Sequence, residues 1–178
     1  MRLRDGTLAI TWSLLPEDRD RLATDYEKLS PESKFHRFLS GVPHLSDAML
    51  HHLVDEVDGV NHIALVLFVL DEDGGGTPAG VGRVIRYRDD PSTADVAVTV
   101  GEAYRGRGVA SALLERLVAE RPPGITQLKT IVAADNPAAL AMLQRLGPST
   151  VEDDDERLEV VVDLVAHEAG TAAQADGG

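Results

Sequence analysis

The sequence contains no cysteine, which excludes a disulfide framework, a thiolate nucleophile and a Cys-type zinc site. Aromatic surface is scarce: three Phe, three Tyr and one Trp in 178 residues. The phenylalanines fall at Phe35, Phe38 and Phe68, so two of them mark one short segment, where packing is the expected role. No apolar run approaches the ~18 residues of a membrane span, and the stretch after Met1 has no apolar signal core. A soluble cytoplasmic protein with no membrane partner is therefore expected. Positive charge is also short, with 17 Lys and Arg against 30 Asp and Glu and a formal net charge of −13. Such a chain repels phosphate backbones, so nucleic acid is not expected as a partner. The same field suits a cationic partner, such as an amine or a lysine-bearing protein. The six histidines show no ligand spacing, and His51 and His52, being adjacent, point apart on a helix. No metal site is expected.

The length predicts one domain over residues 1–165. The polar, small-residue stretch 166–178 cannot bury much and is expected to be a disordered tail. Thr7 to Leu14 is predicted as a strand. Pro16 to Leu29 is predicted as a helix, with Leu22, Tyr26 and Leu29 on one face. Ser30-Pro31 has the order of a helix cap and first helical residue, opening a helix with Phe35, Phe38 and Leu39 at helical spacing. Ser46 is predicted to cap a third helix, Asp47 to Val57. His62 to Leu70 is almost wholly apolar, as a strand covered on both faces is. Ala79 to Tyr87 and Asp95 to Val100 complete an antiparallel meander, and Gly80 and Gly82 mark a weak point or bulge. After a helix over 108–120, Gln127 to Ala133 is a further strand; strand, helix, strand implies a parallel pair with a right-handed crossover. Asp135 or Asn136 caps a last helix through Leu146. Thr150 to Glu152 and Arg157 to Leu164 form a closing hairpin whose turn is the acidic run 152–156.

The chain is organised around Asp95 to Leu117, which reads as strand, basic glycine loop and amphipathic helix. Free N–H groups at a helix start attract an anion. Gly106-x-Gly108 fits the first half of a dinucleotide fingerprint, and Asp135 follows the next strand. However, the third glycine position is Ser111, and too little chain remains for two βαβαβ halves. The spacing Arg105-x-x-Gly108-x-Ala110 resembles the pyrophosphate loop of the GNAT family of N-acetyltransferases. Asn136-Pro137-Ala138-Ala139 through Leu146-Gly147 resembles the family's later Asn-led helix, and the four elements come in the family's order. The segment Leu29 to Leu50 is similar to that of actinobacterial protein lysine acetyltransferases and their relatives.

The resemblance implies an α/β fold of the α+β type. Its central sheet would be mixed and mostly antiparallel, with six to seven strands, about five helices and a splayed parallel pair at the coenzyme site. It implies acetyl-CoA as co-substrate, without a metal, and attack by a primary amine in a ternary complex, protein lysine being favoured. Coenzyme contacts fall to Val98, Thr99 and Val100, to Arg105, Gly106, Arg107, Gly108, Val109, Ala110 and Ser111, and to Asn136. Asp95 stands where the family's usual carboxylate base stands, one methylene shorter than the Glu of the lysine acetyltransferases; its other reading is the end of the preceding turn. The family's Tyr acid, seven residues after the Asn, is replaced by Leu143, and its Phe after the helix glycine by Pro148. That departure leaves a second possibility, a catalytically weak acyl-CoA-binding regulatory module. Either a monomer or a homodimer is compatible with the sequence.

Overall fold

A computed structural model describes residues 1–164 of the chain; the expected tail, 166–178, lies outside the described residues. Ala9–Ser13 forms β1. The Asp18 carboxylate accepts from the Leu15 N–H at 2.9 Å and closes a 3-10 turn, Pro16–Asp18, before the helix α1, Arg19–Glu27. The single helix expected over 16–29 is thus split and shorter. Ser30 caps α2, Pro31–Phe38, by accepting from the Ser33 N–H at 3.1 Å, with Pro31 as first helical residue. Ser46 caps α3, Asp47–Leu50, in the same way. Only one turn of α3 is α-helical. His51–Asp55 widens into a π turn, with the Glu56 N–H on His51 O at 3.1 Å and Val57 turning to Val54 O instead. Leu53 O is left for Arg83, whose NH1 donates to it at 2.7 Å.

β2, His62–Leu70, has the expected bounds. β3 is longer than predicted, Gly76–Arg86, and β4 is Thr93–Val100. α4, Val109–Ala119, β5, Gln127–Ala133, and α5, Pro137–Gln144, lie where periodicity places them. The closing hairpin is β6, Ser149–Asp154, and β7, Arg157–Asp163. Its turn is tighter than the acidic run suggests, with Asp155 in the left-handed region at φ +54°. Glu152 lies opposite Glu159 in the ladder, and Lys129 relieves that like-charge pair by meeting Glu159 at 2.8 Å.

Among the described residues seven strands run in the order β1-β2-β3-β4-β5-β7-β6, and with five helices they form the mixed sheet expected. β1 and β2 pair antiparallel from Ala9↔Val69 to Ser13↔Leu65. β5 pairs antiparallel with β7 from Gln127↔Asp163 to Ala133↔Arg157. β4 and β5 pair parallel, with Thr93↔Gln127 and Ala94↔Leu128 as the register.

The described residues fall into two compact units, Met1–Val84 with Ala97–Arg121, and Ile85–Val96 with the described chain after Arg121. In the first, Leu14, Leu53, Val54, Ala64 and Val66 form a buried cluster flanked by Leu22, Phe38 and Phe68. Val109, Leu113, Leu114 and Leu117 of α4 are all but fully buried. Gly80 and Gly82 explain how α4 approaches so closely. A Cβ at Gly82 would meet Leu117 Cδ1 at 2.7 Å, and one at Gly80 would meet Val109 Cγ1 at 3.0 Å and Leu113 Cδ1 at 3.1 Å. These glycines sit within the unbroken strand β3 and make room for a helix. In the second unit Leu128, Val160 and Val162 are fully buried.

Candidate functional site

The turn into β4 is closed by Asp90, which accepts from the Ser92 N–H at 3.1 Å and from the Ser92 and Thr93 hydroxyls, both at 2.6 Å. The strand therefore begins at Thr93, and Asp95 stands inside it, half-buried. The reading of Asp95 as the end of the turn does not hold. Burial, and then the negative charge of Asp95, push the Tyr87 phenol above its ordinary range, and that phenol donates to Lys129 O at 3.1 Å. One residue further along, the Thr130 hydroxyl donates to Val96 O at 3.0 Å. A side chain thus joins the two strands beyond that parallel register. Val98, Thr99 and Val100 follow, each partly buried, and Gly101 turns its N–H to Ala79 O at 2.9 Å.

The loop after β4 is built from glycine geometry. Gly106 and Gly108 have φ of +74° and +93°, values a side chain resists. Gly108 is the residue before α4, and the first helical bond runs from the Ala112 N–H to Gly108 O at 3.0 Å. Among the described residues the N–H groups of Gly106, Arg107, Gly108, Val109, Ala110 and Ser111 have no acceptor. N–H groups without an acceptor at the positive end of a helix fit an anion such as a pyrophosphate. A Cβ added at Gly106 would meet nothing within 4 Å, so the loop is open there.

The two loop arginines are both engaged by the protein. Arg105 donates to the Ser33 hydroxyl and lies 3.2 Å from Glu102. Glu102 also accepts from the Ser30 N–H at 3.0 Å and the Ser33 hydroxyl at 2.5 Å. Ser33 first, then Ser30, hold the Glu102 carboxyl below the usual range, so the start of α2 is tied to the loop through an ionised carboxylate. Arg107 donates to Asp5 at 2.6 Å and Thr7 at 2.8 Å, and stands over the Tyr104 ring.

Beside the loop the first unit contains a cavity of about 440 Å³. Its lining runs from Leu14, Tyr26 and Phe38 to Thr99 and Glu102, with Arg83 among them. Arg83 is only 3% exposed, and its NH1 reaches Leu53 O and, at 3.3 Å, His62 Nε2. Burial first, and the Arg83 charge second, lower the His62 pKa from 6.5 to about 4, so this imidazole is neutral at pH 7. Sequence reasoning passed over both residues. The available signal was an arginine inside the mostly apolar strand expected over Ala79 to Tyr87.

Asn136, in the second unit, caps α5 by accepting from the Ala139 N–H at 3.1 Å. Leu143 is buried, so the residue at the usual acid's position is a core side chain. Among the described residues no group of three His, Cys, Asp or Glu side chains is placed to hold a metal ion, and no helix is long and apolar enough to cross a membrane.

A family model described as the acetyltransferase (GNAT) family matches residues 22–147. An acetyltransferase of Pseudomonas aeruginosa is 29% identical over 160 residues, covering 89% of this chain and 84% of that protein. The acetyltransferase Pat of Mycolicibacterium smegmatis is 31% identical over 155 residues, 86% of this chain, and the chain spans 45% of Pat's length. The crystal structure of the GNAT domain of S. lividans PAT superposes with a TM-score of 0.80 at 30% identity, covering 92% of this chain and 95% of that one.

Proposed function

This chain belongs to the acetyltransferase (GNAT) family, and we propose that it uses acetyl-CoA to acetylate a primary amine, the side chain of a protein lysine being favoured over a free small amine. The observation that carries this reading is the open loop whose N–H groups, from Gly106 to Ser111, have no acceptor among the described residues. They would hold the coenzyme's pyrophosphate at the start of α4. Arg105 or Arg107 would add a charge-assisted contact. The backbone of Val98, Thr99 and Val100 would pair with the pantetheine arm, with Asn136 as a further contact. Acetyl-CoA supplies an acyl group activated as a thioester.

A lysine amine with a pKa of ~10.4 is almost wholly protonated at neutral pH, so its proton must be removed before it attacks. Asp95 is assigned that task and, being a short carboxylate, works through a water. α5 offers no acid at Leu143, so the thiol, with a pKa of ~8.5, departs as the thiolate. The net charge of −13 supports a cationic acceptor such as a lysine-bearing protein.

Calorimetry with acetyl-CoA, followed by thiol release over lysine peptides and small amines, tests the reading. Binding and release are expected, and Asp95→Ala should lower turnover about 100-fold while binding persists. Unchanged turnover removes Asp95 from the mechanism. The buried Leu143 supports a second reading, a non-catalytic acyl-CoA-binding module. Binding without release on any amine favours it, and no binding defeats both.

A further inference from the structure

The residues before β1 contact the loop that the proposed function assigns to the coenzyme pyrophosphate. They form a tight turn. The Leu3 N–H meets Thr7 O at 2.9 Å and the Gly6 N–H meets Leu3 O at 3.0 Å, with Gly6 at φ +86°. Arg2 and Leu8 are bridged antiparallel, and Leu3, 5% exposed, anchors the turn in the core.

Asp5 is aimed by its own turn. One carboxylate oxygen accepts from the Thr7 N–H at 3.0 Å, and the other accepts from Arg107 Nε at 2.6 Å. Thr7 Oγ1 takes a second nitrogen of the same guanidinium at 2.8 Å. The Arg4 N–H donates to Arg107 O at 3.2 Å, and a Cβ on Gly108 would meet Arg4 N at 3.2 Å.

A peptide is planar and trans, so its C=O and N–H point to opposite sides. Pinning Arg107 O therefore orients the Gly108 N–H away from the turn. Every bond the turn makes to the loop uses a loop carbonyl or side chain, and none consumes a loop N–H. Holding donors in place before a ligand arrives lowers the ordering cost of binding.

We propose that residues 2–8 are a strut that presets the Gly106–Ser111 N–H groups for a pyrophosphate, with Asp5 as a positioning residue that acts through Arg107. The inference rests on the reading of that loop as the coenzyme site. Backbone thermodynamics and dynamics, rather than turnover, test it. Asp5→Ala and the near-isosteric Thr7→Val are compared with the unsubstituted protein by acetyl-CoA calorimetry and by hydrogen exchange of the loop amides without ligand. Asp5→Ala should weaken acetyl-CoA binding about fivefold, as expected for a half-exposed ion pair, and speed exchange at Gly108, with Thr7→Val changing both less. The melting temperature without ligand should stay within ~2 °C, and Asp5→Ala should add nothing once Arg107 is Ala.

Unchanged exchange at Gly108 in Asp5→Ala overturns the strut. So does a full additional loss of affinity in the Arg107→Ala background. If the unsubstituted protein binds no acetyl-CoA, the family-based reading of the loop fails, and the exchange measurement still decides whether the strut orders it.

Discussion

Two walls of the first unit are built on different principles. The wall from Gly101 to Ala119 is backbone and local pattern: two glycines at positive φ, a helix start, and an apolar stripe buried against Gly80 and Gly82. The wall made by α1, α2 and the π turn is side chains from remote segments. Arg83 of β3 reaches Leu53 O across thirty positions, His62 of β2 backs it, and Ser30 and Ser33 meet Glu102 some seventy positions away. A surface made of backbone binds what every member of a family binds. A surface made of distant side chains changes with each residue that builds it, and it is where the proposed function expects selectivity for the acceptor.

Breaking the first wall should cost the most. Leu113 is fully buried, and Leu113→Ala should destabilise by about 3 kcal/mol through the cavity it leaves, read as a fall in the urea midpoint. Gly82→Val would drive a side chain into Leu117, whose Cδ1 is 2.7 Å from an added Cβ. The expected loss is about 2 kcal/mol, with acetyl-CoA affinity falling as α4 shifts. A thermal melt and calorimetry on the same sample check both effects.

The second wall should respond in selectivity more than in stability. Arg83→Met leaves Leu53 O and His62 without their guanidinium partner. It should cost about 1 kcal/mol and raise KM for the amine while the affinity for acetyl-CoA stays constant. An equal change in both would erase the contrast between the walls.

A further effect is one of pH. The His62 pKa is lowered from 6.5 to about 4 in the folded protein. Between those values the unfolded chain binds a proton that the native state refuses, so stability falls as pH drops from about 6.5 toward 4. Outside that window the group contributes no slope. Urea midpoints at pH 7 and pH 5, with His62→Asn as the control lacking this slope, measure it.

Much of the fold was legible because it follows local rules. Ser30 and Ser46 cap the helices they are expected to cap, and of Asp135 and Asn136 it is Asn136 that caps α5. β2 and β5 have their predicted bounds because apolar and β-branched runs between turn residues leave little choice. Helix ends were less legible. The split before α1 depends on one carboxylate turning back to Leu15, and the π turn depends on a carbonyl wanted by Arg83. In the candidate site, Gly106 and Gly108 were readable from spacing, since positive φ favours glycine. The engagement of Arg105 and Arg107 was not. Their partners, Ser33, Glu102, Asp5 and Thr7, come from parts of the chain that no local pattern connects to the loop.

By itself the sequence determined the loop and its family. The spacing Arg105-x-x-Gly108-x-Ala110, a strand before it, a helix after it and Asn136 downstream are all short-range facts, carried by backbone torsions and periodicity. Tertiary structure alone decided where Asp95 stands, what restrains the arginines, and that a buried arginine beside a neutral histidine lines the cavity. Those facts depend on which side chains meet once the strands align, and the burial that sets their charge exists only in the folded chain.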